Sequence, residues 1–234
     1  IYEGLELNGT WTNAGYVYIQ GTQTLTGTGE IVMQSGDIRL SQGTQENPMT
    51  FTVDEGITIR GHGDIGYSNN HSTLFNRGTI LADHANGYTL SIQYGSYANQ
   101  YFVNEGLLKV ENKGALEVFN LTGNLGRIEL HDEGSRIQIS GNDYVVDQSI
   151  TVPEKTTLSL RGTFTNTATI TATNATLLEL GYDKEKDQWK NTGQVVATNT
   201  EINLGGNNLT YASIGTITRT DTLARLTGTW VDTT

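Results

Sequence analysis

The acidic tract Asp183-Lys184-Glu185-Lys186-Asp187 is the strongest metal-binding candidate in the sequence. Its carboxylates alternate along the chain, as the first ligands of a calcium-binding loop do. The tract has Gln188 where such a loop needs a glycine, and it lacks the later bidentate acid. The pattern therefore favours a solvated loop tip. We predict no metal and no cofactor, with Asp183, Glu185 and Asp187 as a weak calcium candidate.

A second group of acidic residues could catalyse the cleavage of a polysaccharide. Glycoside hydrolysis needs two carboxylates that face each other across roughly 5–10 Å. No sequence pattern places the available acids on one face, and the first two are typical of a turn. We therefore predict that the protein is not an enzyme, and a secreted polysaccharide-binding or polysaccharide-cleaving β-helix is the alternative. The acids are Asp132, Glu133, Asp143 and Asp147, close to His131.

The histidines and the Gly-x-Gly pairs indicate structure rather than chemistry. The histidines share no metal-ligand spacing, so we expect them in exposed loops. Neither Gly27-Thr28-Gly29 nor Gly61-His62-Gly63 is followed by a third glycine or by the Lys-Ser/Thr of a phosphate loop, so both are interpreted as corners. The four histidines are His62, His71, His84 and His131.

Tyrosine is the enriched aromatic residue, with 11 copies. Exposed tyrosine rings can stack on sugars or anchor a protein interface. They can equally pack a loop onto the core, so this contact surface is a hypothesis. The cluster consists of Tyr88, Tyr94, Tyr97 and Tyr101.

The elements that must position these residues are repeats. An aromatic residue, then asparagine, a turn residue and an aliphatic residue recur five times. A second phrase, Thr24-Leu25-Thr26-Gly27-Thr28-Gly29-Glu30-Ile31, returns as Thr58-Ile59-Arg60-Gly61-His62-Gly63-Asp64-Ile65, a shift of 58 − 24 = 34 positions. A recurring phrase is typical of one supersecondary unit stacked on itself. The aromatic and asparagine pairs are Trp11 and Asn13, Phe75 and Asn76, Phe102 and Asn104, Phe164 and Asn166, and Trp189 and Asn191.

Short alternating runs such as Leu116-Glu117-Val118-Phe119 separate these phrases, and each is bounded by Gly, Asn, Asp or Ser. Alternation places one side chain inward and the next outward, as in a strand. With no convincing helix, the pattern predicts an all-β protein: a parallel β-solenoid of about ten short coils, at roughly 20–25 residues per coil. The alternative, a large antiparallel β-sandwich, needs hairpin signals, and Asn8-Gly9 and Asn86-Gly87 are nearly the only ones.

Two further features of the solenoid can be predicted. Asparagine at equivalent corners can form a ladder from coil to coil, because its amide both donates and accepts hydrogen bonds. Residues 41–48 and 182–188 depart from the repeat, so we expect them to protrude as loops, where binding functions often lie.

Composition excludes several functional classes. The net charge of −11 argues against nucleic acid and against anionic membranes, since both need a basic protein surface. No apolar stretch approaches the length of a membrane span, so we predict no membrane insertion by this segment. The absence of cysteine removes disulfides and thiolate metal sites.

The chain resembles the giant repetitive surface proteins and autotransporter-like adhesins of bacteria. The resemblance is carried by Gly162-Thr163-Phe164-Thr165-Asn166-Thr167-Ala168-Thr169-Ile170 and by the closing repeat from Ile214 to Trp230. In that group a solenoid serves as a stalk or adhesive passenger outside the cell. The resemblance implies that residues 1–234 are a single β-solenoid segment of a larger extracellular protein at the bacterial cell surface.

The expected function is therefore structural or adhesive: a stiff rod for contact between cells or with surfaces, able to assemble end to end. The expected partners are neighbouring solenoid repeats or identical subunits, with surface glycans and host or matrix proteins as further partners.

Overall fold

A computed structural model of the protein describes residues 4–67, 71–93 and 99–231. The described residues form 24 strands and one short helix, α1 (Tyr211–Ile214). The strands are β1 (Leu5–Leu7), β2 (Thr10–Asn13), β3 (Tyr16–Gln20), β4 (Gln23–Gly27), β5 (Glu30–Ser41), β6 (Met49–Val53), β7 (Thr58–Tyr67), β8 (Ser72–Asn76), β9 (Thr79–Ala82), β10 (Thr89–Ile92), β11 (Gln100–Asn104), β12 (Leu107–Val110), β13 (Ala115–Leu121), β14 (Arg127–Leu130), β15 (Arg136–Val146), β16 (Ile150–Val152), β17 (Thr157–Asn166), β18 (Thr169–Thr173), β19 (Leu177–Leu180), β20 (Gln188–Asn191), β21 (Gln194–Thr198), β22 (Glu201–Leu204), β23 (Thr216–Thr220) and β24 (Ala224–Leu226).

Each strand pairs in parallel with strands of the neighbouring coils. Leu5 pairs with Leu25 and Leu25 with Val53, which gives offsets of 20 and 28 residues. Further along, Thr157 pairs with Leu177, again 20 residues away. About ten turns of this kind form a parallel β-solenoid, so the predicted fold is confirmed and the antiparallel sandwich is wrong.

Three columns of paired, buried side chains define three faces of the solenoid, here called A, B and C. Aliphatic and aromatic side chains stack in each column because the inward positions of successive strands are in register. The face A column is Ile31, Ile59, Ile80, Leu108 and Ile128. The face B column is Leu90, Leu116, Ile137, Leu158, Leu178 and Ile202. The face C column is Phe51, Leu74, Phe102 and Leu121.

Some strands are longer than predicted because they continue around a corner. β5 and β7 run from face A to face B, whereas β15 and β17 run from face B to face C. The bends lie at glycines, and Gly61 and Gly63 have φ of 106° and 130° within β7. The Gly61-His62-Gly63 phrase is therefore a bend inside a strand and not a loop between two strands.

Two loops interrupt the coils. Residues 42–48 and 181–187 contain no strand, close to the positions expected from their departure from the repeat. Helix α1 was not predicted; it is a single turn, held by a capping box between Thr210 and Ser213. Within the described ranges, no helix is long and apolar enough to cross a membrane.

Candidate functional site

The repeated asparagines are buried structural groups at corners of the solenoid. The Nδ2 of Asn76 donates to the Oδ1 of Asn104 at 2.8 Å, and Asn104 donates onward to the carbonyl of Leu125. Asn166 and Asn191 form a second pair, also at 2.8 Å. The ladder consists of separate pairs because Val53 and Val146 occupy the same position in other coils, and valine cannot continue it.

Asn13 lies at a different corner from the other four. It pairs with Met33 on the strand that carries Ile31, so its aromatic partner Trp11 belongs to face A. Asn76, Asn104, Asn166 and Asn191 end strands of face C. The first copy of the phrase therefore lies at the end of a face A strand, whereas the other four copies end strands of face C. The same short phrase can form a corner at more than one edge of the solenoid.

We expect Asn166→Ala to lower the free energy of unfolding by about 1–3 kcal/mol, because buried polar groups would lose their partners. Its amide contacts both Asn191 and the backbone of Ala168. Denaturant unfolding measures the change. Asn142→Ala, at an exposed position, should stay within about 0.5 kcal/mol of wild type. Equal losses from both variants would contradict a special role for the buried pair.

The aromatic residues of the repeat do not all point inward. Phe102 is fully buried and pairs with Leu74, whereas Phe75 pairs with Val103 and lies on the outward side. In the phrase at Phe75 the asparagine follows directly, and this one-residue offset turns the ring to the opposite side. The guanidinium carbon of Arg77 lies 4.9 Å from the centre of the Phe75 ring.

Three aromatic rings stack in the interior of face C. The ring centres of Tyr144 and Phe164 are 5.2 Å apart, and those of Phe164 and Trp189 are 5.8 Å apart with planes inclined by 7°. Tyr144 was not among the predicted residues because Val146 stands where the repeat has asparagine. Burial raises the pKa of the Tyr144 phenol well above its usual range.

The acids of the calcium candidate shape a loop. Asp187 is buried and accepts hydrogen bonds from the backbone N–H groups of Gly162, Tyr182 and Asp183. The Oδ1 of Asp183 accepts from the backbone N–H of Glu185 at 2.8 Å. Among the residues that the structure describes, no three His, Cys, Asp or Glu side chains converge as a metal site. The local sequence thus forms a turn stabilised by its own carboxylates.

The second group of acids is occupied by contacts between coils. Each carboxylate binds a group about 20 residues away, which gives it a structural role in stacking. The contacts are Asp132 with the N–H of Asn112 at 2.8 Å, Glu133 with Lys155 at 3.0 Å, Asp143 with the hydroxyl of Thr163 at 2.9 Å, and Asp147 with the N–H of Gly126 at 3.2 Å.

The predicted tyrosine surface is only partly described. Tyr94 and Tyr97 lie outside the described residues. Tyr101 lies on β11, whereas Tyr88 precedes β10 and packs against two histidines. The ring centres of His62 and His84 are 4.2 Å apart, and burial together with the neighbouring His84 lowers the pKa of His62.

A groove runs along the corner between faces B and C, and we call it the corner groove. It encloses about 570 Å³, within the range of about 300–1,000 Å³ that is usual for ligand sites. Strands β13, β15 and β17 and the loop of residues 181–187 contribute to it in that order. Its lining includes Phe119, Gln138, Asn142, Arg161, Tyr182 and Lys186.

The charges of the corner groove are compensated within the protein. Arg161 lies 2.7 Å from the carboxylate of Glu179, which is 4 % exposed. The side chains of Lys186 and Asp183 approach to 4.0 Å. Arg161 also lies over the ring of Tyr182, with its guanidinium carbon 4.5 Å from the ring centre. The groove therefore combines an exposed aromatic ring with polar groups and no unpaired basic cluster.

The start of face B carries neighbouring outward carboxylates. Asp37 pairs in register with Asp64, and Asp64 in turn pairs with Ser91. Burial and then the negative charge of Asp37 raise the pKa of Asp64, while Ser91 and Arg39 oppose the shift. Arg39 is bound to Asp37 at 2.7 Å.

Asp64→Asn should gain stability relative to wild type as the pH rises. A pKa raised by folding makes the wild-type protein lose stability between the ordinary value of about 3.9 and the higher folded value. The asparagine variant avoids that loss. Denaturant unfolding at several pH values measures the difference, with the exposed Glu185→Gln as control. A difference that falls with rising pH would contradict the assignment.

Fold and surface together define a repetitive β-helix protein of about ten turns. In comparisons with protein families, curated proteins and solved structures, the chain has no match.

Proposed function

We propose that the protein is a non-enzymatic structural or adhesive segment of an extracellular bacterial surface protein or filament. The observation that carries this proposal is the continuous face B column, in which six fully buried side chains from Leu90 to Ile202 stack in register. A backbone ladder parallel to the long axis gives a stiff rod. With strands about 4.8 Å apart, ten coils extend on the order of 45–50 Å.

A repetitive rod presents the same kind of surface many times, so contact with cells or surfaces gains strength from multivalency. Electron microscopy of the purified protein tests the proposal, and we expect short rods of the length given above. Release of reducing sugar from a panel of polysaccharides, using the same preparation, would contradict it and favour the polysaccharide-cleaving alternative.

End-to-end association is a second proposal, favoured by the apolar surface of the last described coil. Tyr211, Leu223 and Leu226 are 81 %, 56 % and 62 % exposed. Strands β23 and β24 pair on one side only among the described residues, with β21 and β22. Unpaired strand edges template further pairing. Further coils, from neighbouring repeats or identical subunits, would cover this surface.

Light scattering across protein concentration tests the second proposal. Identical subunits that stack should give particles whose mass grows with concentration, and Leu226→Lys should prevent the growth by placing a charge on the apolar edge. Thr176→Lys, at an exposed position away from this coil, is the matched control. A constant mass at every concentration would exclude identical subunits as the partner.

A further inference from the structure

We propose that the corner groove binds a neutral oligosaccharide. The proposal goes beyond the structural role above, because a rod needs no recessed site. It rests on four features of the groove: its exposed aromatic side chain, its charge balance, its available hydrogen-bonding groups and its extent along the axis.

The exposed aromatic side chain of the groove is that of Tyr182. Tyr182 is 60 % exposed although it belongs to a well-anchored loop, since Asp187 accepts its backbone N–H at 2.6 Å. Arg161 stacks on the ring. The C–H faces of a sugar ring pack on an aromatic face while its hydroxyls stay solvated, so an exposed, positioned ring suits a saccharide.

The charge balance favours a ligand without charge. Arg161 is bound by Glu179, and Lys186 lies near Asp183. Asp187 already accepts three backbone hydrogen bonds. The described lining holds Arg161 and Lys186 beside Asp183 and Asp187, so an anionic ligand would meet no net positive charge there, and it would approach a protein of net charge −11. Charged polysaccharides are therefore disfavoured.

The groove also offers uncommitted polar groups. The side chains of Gln138, Ser140 and Asn142 line it and form no hydrogen bond with any described residue. Amide and hydroxyl groups both donate and accept, which matches the hydroxyls of a sugar. They flank the bend at Gly141, so they come from one strand, β15.

The length of the groove suits several linked sugars. Its lining comes from three successive strands and from the loop that follows them. The groove therefore spans three inter-strand spacings of about 4.8 Å each. A chain of sugar units laid parallel to the solenoid axis would extend from Tyr182 at one end of the groove toward strand β13 at the other.

Isothermal titration calorimetry tests the proposal with cellohexaose, maltohexaose, xylohexaose and chitohexaose, and with oligogalacturonate as an anionic comparison. We expect at least one neutral hexasaccharide to bind. The Tyr182→Ala substitution should lower the affinity for that hexasaccharide by about tenfold or more. Tyr16→Ala is the matched control, because Tyr16 is also exposed and also lies under an arginine, with Arg39 at 4.0 Å. It should change the affinity by less than about twofold.

Gln138→Ala should lower the affinity for the same ligand, because a polar contact is lost. The circular dichroism spectra of all variants should match that of wild type, which shows that the variants are folded. Three outcomes would overturn the proposal: no binding of any neutral hexasaccharide, stronger binding of oligogalacturonate, or equal effects of Tyr182→Ala and Tyr16→Ala. None of them bears on the rod shape that electron microscopy tests, so the two proposals fail separately.

Discussion

Phe164→Ala is expected to lower the free energy of unfolding by about 3–5 kcal/mol, because it removes the central ring of a buried stack. Tyr144 and Trp189 lie on either side at 5.2 and 5.8 Å. The backbone ladder fixes the spacing of the coils, so the neighbouring rings cannot close the cavity. Denaturant unfolding followed by tryptophan fluorescence measures the loss.

Phe75→Ala is the matched control for this prediction. Phe75 has the same residue type and belongs to the same sequence phrase, but it lies outward beside Arg77. Its removal should cost about 1 kcal/mol, the scale of a surface cation–π contact. If both substitutions cost the same, the inward and outward assignment of the two phenylalanines is incorrect.

Gly162→Ala is expected to lower the free energy of unfolding by about 3 kcal/mol or more. Gly162 has φ of 86°, a conformation that costs other residues about 1–2 kcal/mol. An added Cβ would also lie 2.0 Å from the carbonyl oxygen of Gly141 in the preceding coil. The coils would have to separate at this corner, at an additional cost of about 1–3 kcal/mol. Thermal and denaturant unfolding measure the change.

Two other glycines separate the two causes. Gly21 has φ of 68° but nothing within 4 Å of an added Cβ, so Gly21→Ala should cost only the conformational part. Gly15 has open space and no positive φ, so Gly15→Ala should leave stability unchanged or raise it by up to about 1 kcal/mol. A loss at Gly162 no larger than that at Gly21 would show that the coils accommodate the methyl group.

The fold could be predicted from the sequence because its signals are local. Alternating runs such as Leu116-Glu117-Val118-Phe119 form strands, and Gly and Asn corners end them. The register could not be predicted. The two copies of the Thr24 phrase are 34 positions apart, yet Thr24 pairs with Thr52 and Glu30 pairs with Thr58, both 28 positions apart. Because all three faces are built from the same residue types, the sequence does not show which segments of successive coils pair with each other.

The corner groove could not be predicted from the sequence, because its position depends on the same register between coils. Its lining runs from Phe119 to Asp187, and only the stacking of coils brings these residues together. A signal was available in Tyr182, which opens a tract that departs from the repeat. The acids of that tract resemble calcium ligands in sequence. In the structure, Asp187 accepts a hydrogen bond from the backbone N–H of Tyr182 and so holds the segment that carries the Tyr182 ring.

The parallel pairing of each coil with its neighbours also determines how the protein responds to tension. Its hydrogen bonds lie along the axis, so a force applied at the two termini loads them one coil at a time and peels the chain from its ends. A coil of 20 residues, such as the one from Thr157 to Leu177, then lengthens to about 70 Å of extended chain. The rod is thus stiff against bending yet extensible in small steps, each of which releases one coil.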